Sequence, residues 1–291
     1  MIGIIIHILP QEIDQLEQTL IQLKKSSKFI NEQDFLVEVV LNNNLTDWNN
    51  SKLDQNFFIE KLNNLELLTK SWAKTDFWVS NNNESLGCTD PRRACFTRHQ
   101  ADAFIWLDVD IVFSDTLLFH MVESFNLLKE TEPYLIITPE TTRMWDFTWD
   151  VITHEESFEE LANHENYFNR DPYDSTGLLG EAELKKINTF KFAGGWFTLI
   201  SNKLLNKFPI PNELGPYYLD DTFLMTCCIK GTEKGFTASQ YVITNEVIIE
   251  NNKYRFNPYK NYLSNIDRRE EFKLQANSHF HSLVTESINQ L

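Results

Sequence analysis

Four short apolar runs rich in β-branched residues alternate with stretches of helical spacing over residues 1–110. Ile2–Leu9 is continuously apolar, as a strand covered on both faces must be, and Pro10 stops it. From Glu12 to Lys25, the apolar residues Ile13, Leu16, Leu20 and Leu23 fall at helical spacing. Phe35–Leu41 reads as a second strand that ends in Asn42-Asn43-Asn44. Leu53–Leu68 reads as a helix, and Thr75–Ser80 as a third strand that ends in Asn81-Asn82-Asn83. Asp90 is placed to cap a helix opened by Pro91 and running to Ala103, and Ala103–Leu107 is a fourth strand. This alternation predicts a parallel sheet with right-handed crossovers. Such sheets bind ligands at the carboxyl ends of their strands, and here those ends carry His7, two asparagine clusters and Asp108-Val109-Asp110.

The rest of the chain continues the pattern less regularly. A helix is expected over Asp115–Lys129, strands over Tyr134–Pro139 and Phe192–Ser201, a helix over Asp220–Lys230 and a strand over Tyr241–Ile249. Residues 141–187 are acidic, aromatic and without clear periodicity, which suggests a surface excursion or lid. The tail from Asn251 is polar. No repeat, low-complexity tract or linker interrupts the chain, so one domain over 1–250 with a C-terminal extension over 251–291 is expected. Within that domain the regular first part, 1–110, is distinguished from the rest, 111–250.

A formal net charge of −16 excludes a nucleic-acid partner and disfavours an anionic membrane surface, both of which call for a basic face. An anionic substrate would need locally concentrated positive charge. No apolar run reaches the ~18 residues of a membrane span, and Met1–Ile6 lacks a basic region before it, so a cytoplasmic protein with no integral membrane segment is expected. The four cysteines form no CxxC, and Cys227 and Cys228 are adjacent, which fits reduced buried thiols.

The strongest chemical signal is Phe104-Ile105-Trp106-Leu107-Asp108-Val109-Asp110, an apolar strand that runs straight into two carboxylates. In extended backbone, residues i and i+2 face one side, so Asp108 and Asp110 converge. Two converging carboxylates repel unless a cation lies between them. Oxygen donors next to a phosphate-bearing ligand suit Mg²⁺ or Mn²⁺. A second acidic pair, Asp220-Asp221, opens a helix, where it can act as an N-terminal cap or in chemistry. Gly194-Gly195 before Trp196 allows either a bulge or close approach of a ligand. His279 and His281 face one side only if the tail is extended there. Trp145, Trp149 and Trp196 are either buried or a sugar-packing platform.

These motifs, in this order, resemble the GT-A glycosyltransferases, especially the family 2-like branch. The resemblance rests on Leu107-Asp108-Val109-Asp110 after a helix with Arg92 and Arg93, on Asn83-Glu84-Ser85-Leu86-Gly87, on Phe192-Ala193-Gly194-Gly195-Trp196-Phe197, and on Leu219-Asp220-Asp221-Thr222 before a helix and Gly231. The chain departs from the family in having Asp220-Asp221 for its Glu-Asp pair and Arg92-Arg93-Ala94 for its Arg-Asn. The resemblance implies an α/β GT-A (Rossmann-like) single domain, a mostly parallel central sheet and helices on both faces. It implies a UDP- or GDP-sugar donor and a glycan acceptor, with 1–110 as the nucleotide-binding half and 111–250 as the acceptor half, and the 251–291 extension is expected to close over the donor site. It places the donor against His7, Leu9, Asn42, Asn44, Asn82, Arg92, Arg93, Asp108, Val109, Asp110, Gly194, Gly195 and Trp196. It further implies Mn²⁺ or Mg²⁺ on Asp108 and Asp110 with His279 or His281, Asp221 as base in an inverting displacement, and Asp220 as its neighbour positioning the acceptor. Two other readings remain open: a nucleotidyltransferase, although no Gly-rich basic loop follows the first strand, and a non-catalytic carbohydrate-binding protein.

Overall fold

A computed structural model describes residues 1–43, 45–80, 92–93, 98–109, 111–142, 182–187, 197–214, 219–250 and 266–291. Among them, nine strands form one sheet. They are β1 (Ile2–Ile8), β2 (Phe35–Asn42), β3 (Lys74–Ser80), β4 (Ala103–Leu107), β5 (Ile111–Val112), β6 (Leu135–Thr142), β7 (Glu183–Ile187), β8 (Phe197–Ser201) and β9 (Ser239–Glu250). The order across the sheet is β3-β2-β1-β4-β8-β6-β9-β5, and β7 also pairs with β9. Strands β1, β2, β3, β4, β6 and β9 run one way, and β5, β7 and β8 run the other. The sheet is therefore mostly parallel, and β8 between β4 and β6 is its antiparallel interruption.

The described helices are α1 (Ile13–Ser26), α2 (Leu45–Ser51), α3 (Gln55–Lys70), α4 (Leu117–Leu128), α5 (Asn202–Lys207), α6 (Asp220–Gly231) and α7 (Ile266–Asn289). Alternation along each strand sends side chains to two cores. Ile2, Ile4, Ile6 and Ile8 of β1 join Ile105 and Leu107 of β4 under α1, α3 and α4. Ile5, Phe104, Trp106 and Ile200 join α5, α6 and α7 on the other face. With both faces covered, the central strands need no polar side, which is why β1 and β4 read as unbroken apolar runs. On the second face, Cys227 and Cys228 are free and buried, and burial raises both thiols above their ordinary range, as for inert core cysteines.

Several boundaries differ from the sequence expectation for physical reasons. Strand β6 runs past Pro139 to Thr142, because the register shifts between Pro139 and Glu140 and a proline there has no ladder hydrogen bond to lose. Strand β7 lies inside the stretch read as irregular, since its polar sequence Glu-Leu-Lys-Lys-Ile shows no buried face. The polar tail forms a 24-residue helix over 266–289, held to the second core by Val284 and Ile288.

Gly3 lies where β1 passes the Phe104 ring, and a Cβ there would stand 2.8 Å from its Cδ1. Gly3→Ala should therefore destabilise the fold by about 1–3 kcal/mol in chemical denaturation, the cost of overpacking a fixed core.

Candidate active site

Strand β4 delivers Asp108 to the carboxyl edge of the sheet on the face that holds Trp106, two residues before it. Arg92 lies against both. Its guanidinium sits 4.9 Å from the Trp106 ring centroid, and its Nη2 donates to Asp108 Oδ1 at 3.1 Å. Its Nη1 donates to Asp220 Oδ2 at 3.0 Å. Arg92 and Asp220 are 6% and 4% exposed, so this is a buried ion pair that opens through Asp108 towards solvent. Burying a guanidinium is costly unless its charge is matched, and two carboxylates match it here.

Asp220 and Asp221 occupy the first turn of α6, where the helix dipole favours negative charge. Leu219 before them adopts a left-handed backbone, φ +62°, a conformation that costs a non-glycine residue roughly 1–2 kcal/mol. Such strain is often found where a side chain must be aimed. Asp221 Oδ1 accepts from the Thr222 backbone N–H at 2.7 Å. Burial, and then the Asp220 charge beside it, push the Asp221 carboxyl up to about 7; Arg92 opposes them. Among the described residues, Asp108, Asp220 and Asp221 gather around one guanidinium. Carboxylate oxygens grouped in this way are donors of the kind that suit Mg²⁺ or Mn²⁺.

The other expected residues distribute as follows. Arg93 is half-buried and donates to the Pro211 carbonyl at 2.9 Å. His7 is half-buried near the end of β1, on the Trp106 face of the sheet. Leu9 is buried, and its N–H donates to Glu12 Oε2 at 2.7 Å. Asn42 is fully buried at the end of β2 beside Ser80. Val109 is buried, and its carbonyl accepts from Thr19 Oγ1. His279 and His281 are both exposed on α7, and two residues apart on a helix point to nearly opposite sides, so the shared face expected of an extended tail is absent. Asn44, Asn82, Asp110, Gly194, Gly195 and Trp196 lie outside the described residues, as do Trp145 and Trp149.

A second polar group escaped the sequence analysis. Glu38, 1% exposed in mid-β2, faces Asp76 of β3, and with His99 their ligand atoms lie within 4.8 Å of one another, close enough to hold a metal ion. Arg98 already supplies a cation there, with Nη2 2.7 Å from Asp76 Oδ2 and Nε 3.2 Å from Glu38 Oε1. Its guanidinium lies 4.4 Å from the Trp78 ring centroid. A glutamate inside an apolar run was the one available signal. The group lies within the sheet rather than at its carboxyl edge.

No protein-family model and no curated protein sequence matches the chain. Solved structures do resemble it. A mannosyltransferase from Pyrobaculum calidifontis in complex with GDP-Man and Mn²⁺ is 12% identical with a TM-score of 0.50, over 86% of this chain and 56% of that one. S. aureus TarS, residues 1–349, is 12% identical with a TM-score of 0.48, over 84% of this chain and 57% of that one. The same protein has been solved with UDP-GlcNAc. The chain thus spans little more than half the length of these proteins, and at this identity the likeness is one of fold. That fold is the GT-A fold of nucleotide-sugar glycosyltransferases. No helix among the described residues is long and apolar enough to cross a membrane.

The Asp221 shift sets a pH dependence. A carboxyl that titrates higher folded than unfolded binds its proton more tightly in the fold. Its contribution is full below the ordinary value of 3.8 and is lost as pH rises through about 7. In metal-free buffer, Asp221→Asn should therefore match the wild type in stability near pH 4 and exceed it near pH 8. Urea titrations across that range measure the difference.

Proposed function

We propose that this chain is a glycosyltransferase that moves a sugar from a UDP- or GDP-sugar to a hydroxyl of a glycan acceptor, with inversion. The observation that supports it most is the Arg92 bridge, which gathers a strand-end carboxylate and a helix-start acidic pair at the carboxyl edge of a GT-A sheet. Asp108 and Asp110 would hold Mn²⁺ or Mg²⁺. That ion supplies positive charge where the leaving diphosphate gains negative charge. The donor base and ribose lie against His7, Leu9, Asn42, Asn44 and Asn82, and the sugar against Gly194, Gly195 and Trp196.

Asp221 takes the proton of the acceptor hydroxyl. The freed oxygen lone pair forms the bond to the anomeric carbon, and the bond from that carbon to the diphosphate oxygen breaks with its electrons going to the diphosphate. A carboxyl titrating near 7 suits this task, since a general base works best near the operating pH. Asp220, held by Arg92, is fixed beside it and orients the acceptor. Arg92 keeps the group from repelling the anionic donor.

Release of nucleoside diphosphate from a panel of UDP- and GDP-sugars, with and without Mn²⁺, tests the reading. Metal-dependent release is expected, abolished in Asp108→Asn. Asp221→Asn should lower transfer by about 10²-fold or more, the scale of a lost general base, with donor affinity unchanged. Release of inorganic pyrophosphate, or sugar binding without turnover, would contradict it.

A further inference from the structure

The segment that follows Asp108 is gripped from two sides by buried polar side chains that the reaction above does not use. On one face of α1, Thr19, Gln22 and Ser26 lie at spacing i, i+3 and i+7, and all three are buried. Thr19 Oγ1 donates to the Val109 carbonyl at 2.9 Å. Gln22 Nε2 donates to the Phe113 carbonyl at 2.7 Å and to Asp115 Oδ1 at 3.0 Å. Ser26 Oγ accepts from the Leu118 N–H at 3.0 Å. An apolar face would have packed there at lower cost, so the stripe serves the backbone it binds.

From the opposite side comes Glu246, which is 0% exposed. Its carboxylate accepts from Ser114 Oγ, from Thr116 Oγ1 at 2.6 Å, and pairs with His120 Nδ1. Glu246 stands in the irregularity of β9, where Ile243 pairs with Pro139 but Val247 with Glu140, so that residues 244–246 have no partner on β6. Just beyond, β9 pairs with β5 through Ile249–Val112 and Glu250–Ile111. Strand β5 begins immediately after Asp110. The bulge therefore does two things at once: it turns Glu246 onto Ser114, Thr116 and the first turn of α4, and it lets β9 continue along β5.

We propose that Glu246 is a positioning residue for the ion site, fixing the backbone at 113–120 against the hold of Thr19 and Gln22 on Val109 and Phe113, so that Asp108 is held in place before an ion arrives. The inference rests on the assignment of the ion to Asp108 and Asp110. Outer partners of this kind set ligand geometry, and their loss costs about 10–100-fold in metal affinity. A carboxylate meeting three donors in a buried pocket is rigid in a way that a loop on the surface is not.

The test is Mn²⁺ binding to the full chain, followed by the electron paramagnetic resonance of free Mn²⁺ in the presence of UDP or GDP. Glu246→Gln keeps the shape but replaces one acceptor oxygen by a donor. It should weaken Mn²⁺ binding by about tenfold, as for other outer partners of metal ligands. Transfer should recover at high Mn²⁺, with KM for the sugar nucleotide at saturating Mn²⁺ unchanged. Thr116→Val, a milder change, should shift Mn²⁺ affinity in the same direction. A lower melting temperature with unchanged Mn²⁺ affinity would overturn the proposal and leave Glu246 a stabilising residue only. If Glu246→Gln does not fold, unchanged affinity in Thr116→Val has the same force. Wild-type protein that binds no Mn²⁺ with either nucleotide would instead remove the ion site, and the functional reading with it.

Discussion

A buried guanidinium must find carboxylates, and Arg92 finds two from distant parts of the chain. Asp108 stands at the end of β4, in the first half, and Asp220 at the start of α6, more than a hundred residues later. Neither helix nor strand alone would bring them together. With Arg92 stacked over Trp106 and bonded to both, the strand end and the helix start are fixed relative to each other. Taking one partner away would leave an unmatched charge in the core, at a cost of about 3–5 kcal/mol. Burial first, and then the Asp220 charge, keep the proton affinity of Asp221 high against the opposing charge of Arg92.

The rest of the scaffold keeps that bridge in place. Arg98 and His99 anchor the approach to β4 by meeting Glu38 and Asp76, so that two arginines of one stretch lie over two tryptophans of the sheet, Arg92 over Trp106 and Arg98 over Trp78. On the far side of β4, the loop into α4 is held by α1 and by Glu246. In a chain of net charge −16 the buried acids Glu38, Asp220 and Glu246 each meet named donors.

Much of this was legible in the sequence, and the limits have physical causes. Strands β1, β2 and β4 were found within a residue or two because burial on both faces makes a run continuous and apolar. Asp108 stood out because a carboxylate directly after such a run has few purely structural uses. The direction of β8 was not legible, since an antiparallel strand inside a covered sheet carries the same apolar composition as its parallel neighbours. Strand β5 has two residues, too few for any period. Helix α7 was missed because, among its described side chains, a sparse stripe of Ala276, Val284 and Ile288 is buried on a largely polar surface. Glu38 and Glu246 read as ordinary charges, for burial with distant partners leaves no local trace. The sequence reading offered Arg92 to the diphosphate, and only the fold reveals its two carboxylates; Leu219 gives no hint of its left-handed backbone.

The account turns on where a divalent ion sits. Anomalous scattering from a crystal grown with Mn²⁺ and UDP or GDP would locate it directly. The account expects a peak at coordination distance from an Asp108 oxygen, about 2.0–2.2 Å away as for small oxygen-bound cations, with diphosphate oxygens completing the shell. A peak at Glu38, Asp76 and His99 alone, or nucleotide bound at the carboxyl edge with no ion beside Asp108, would contradict it.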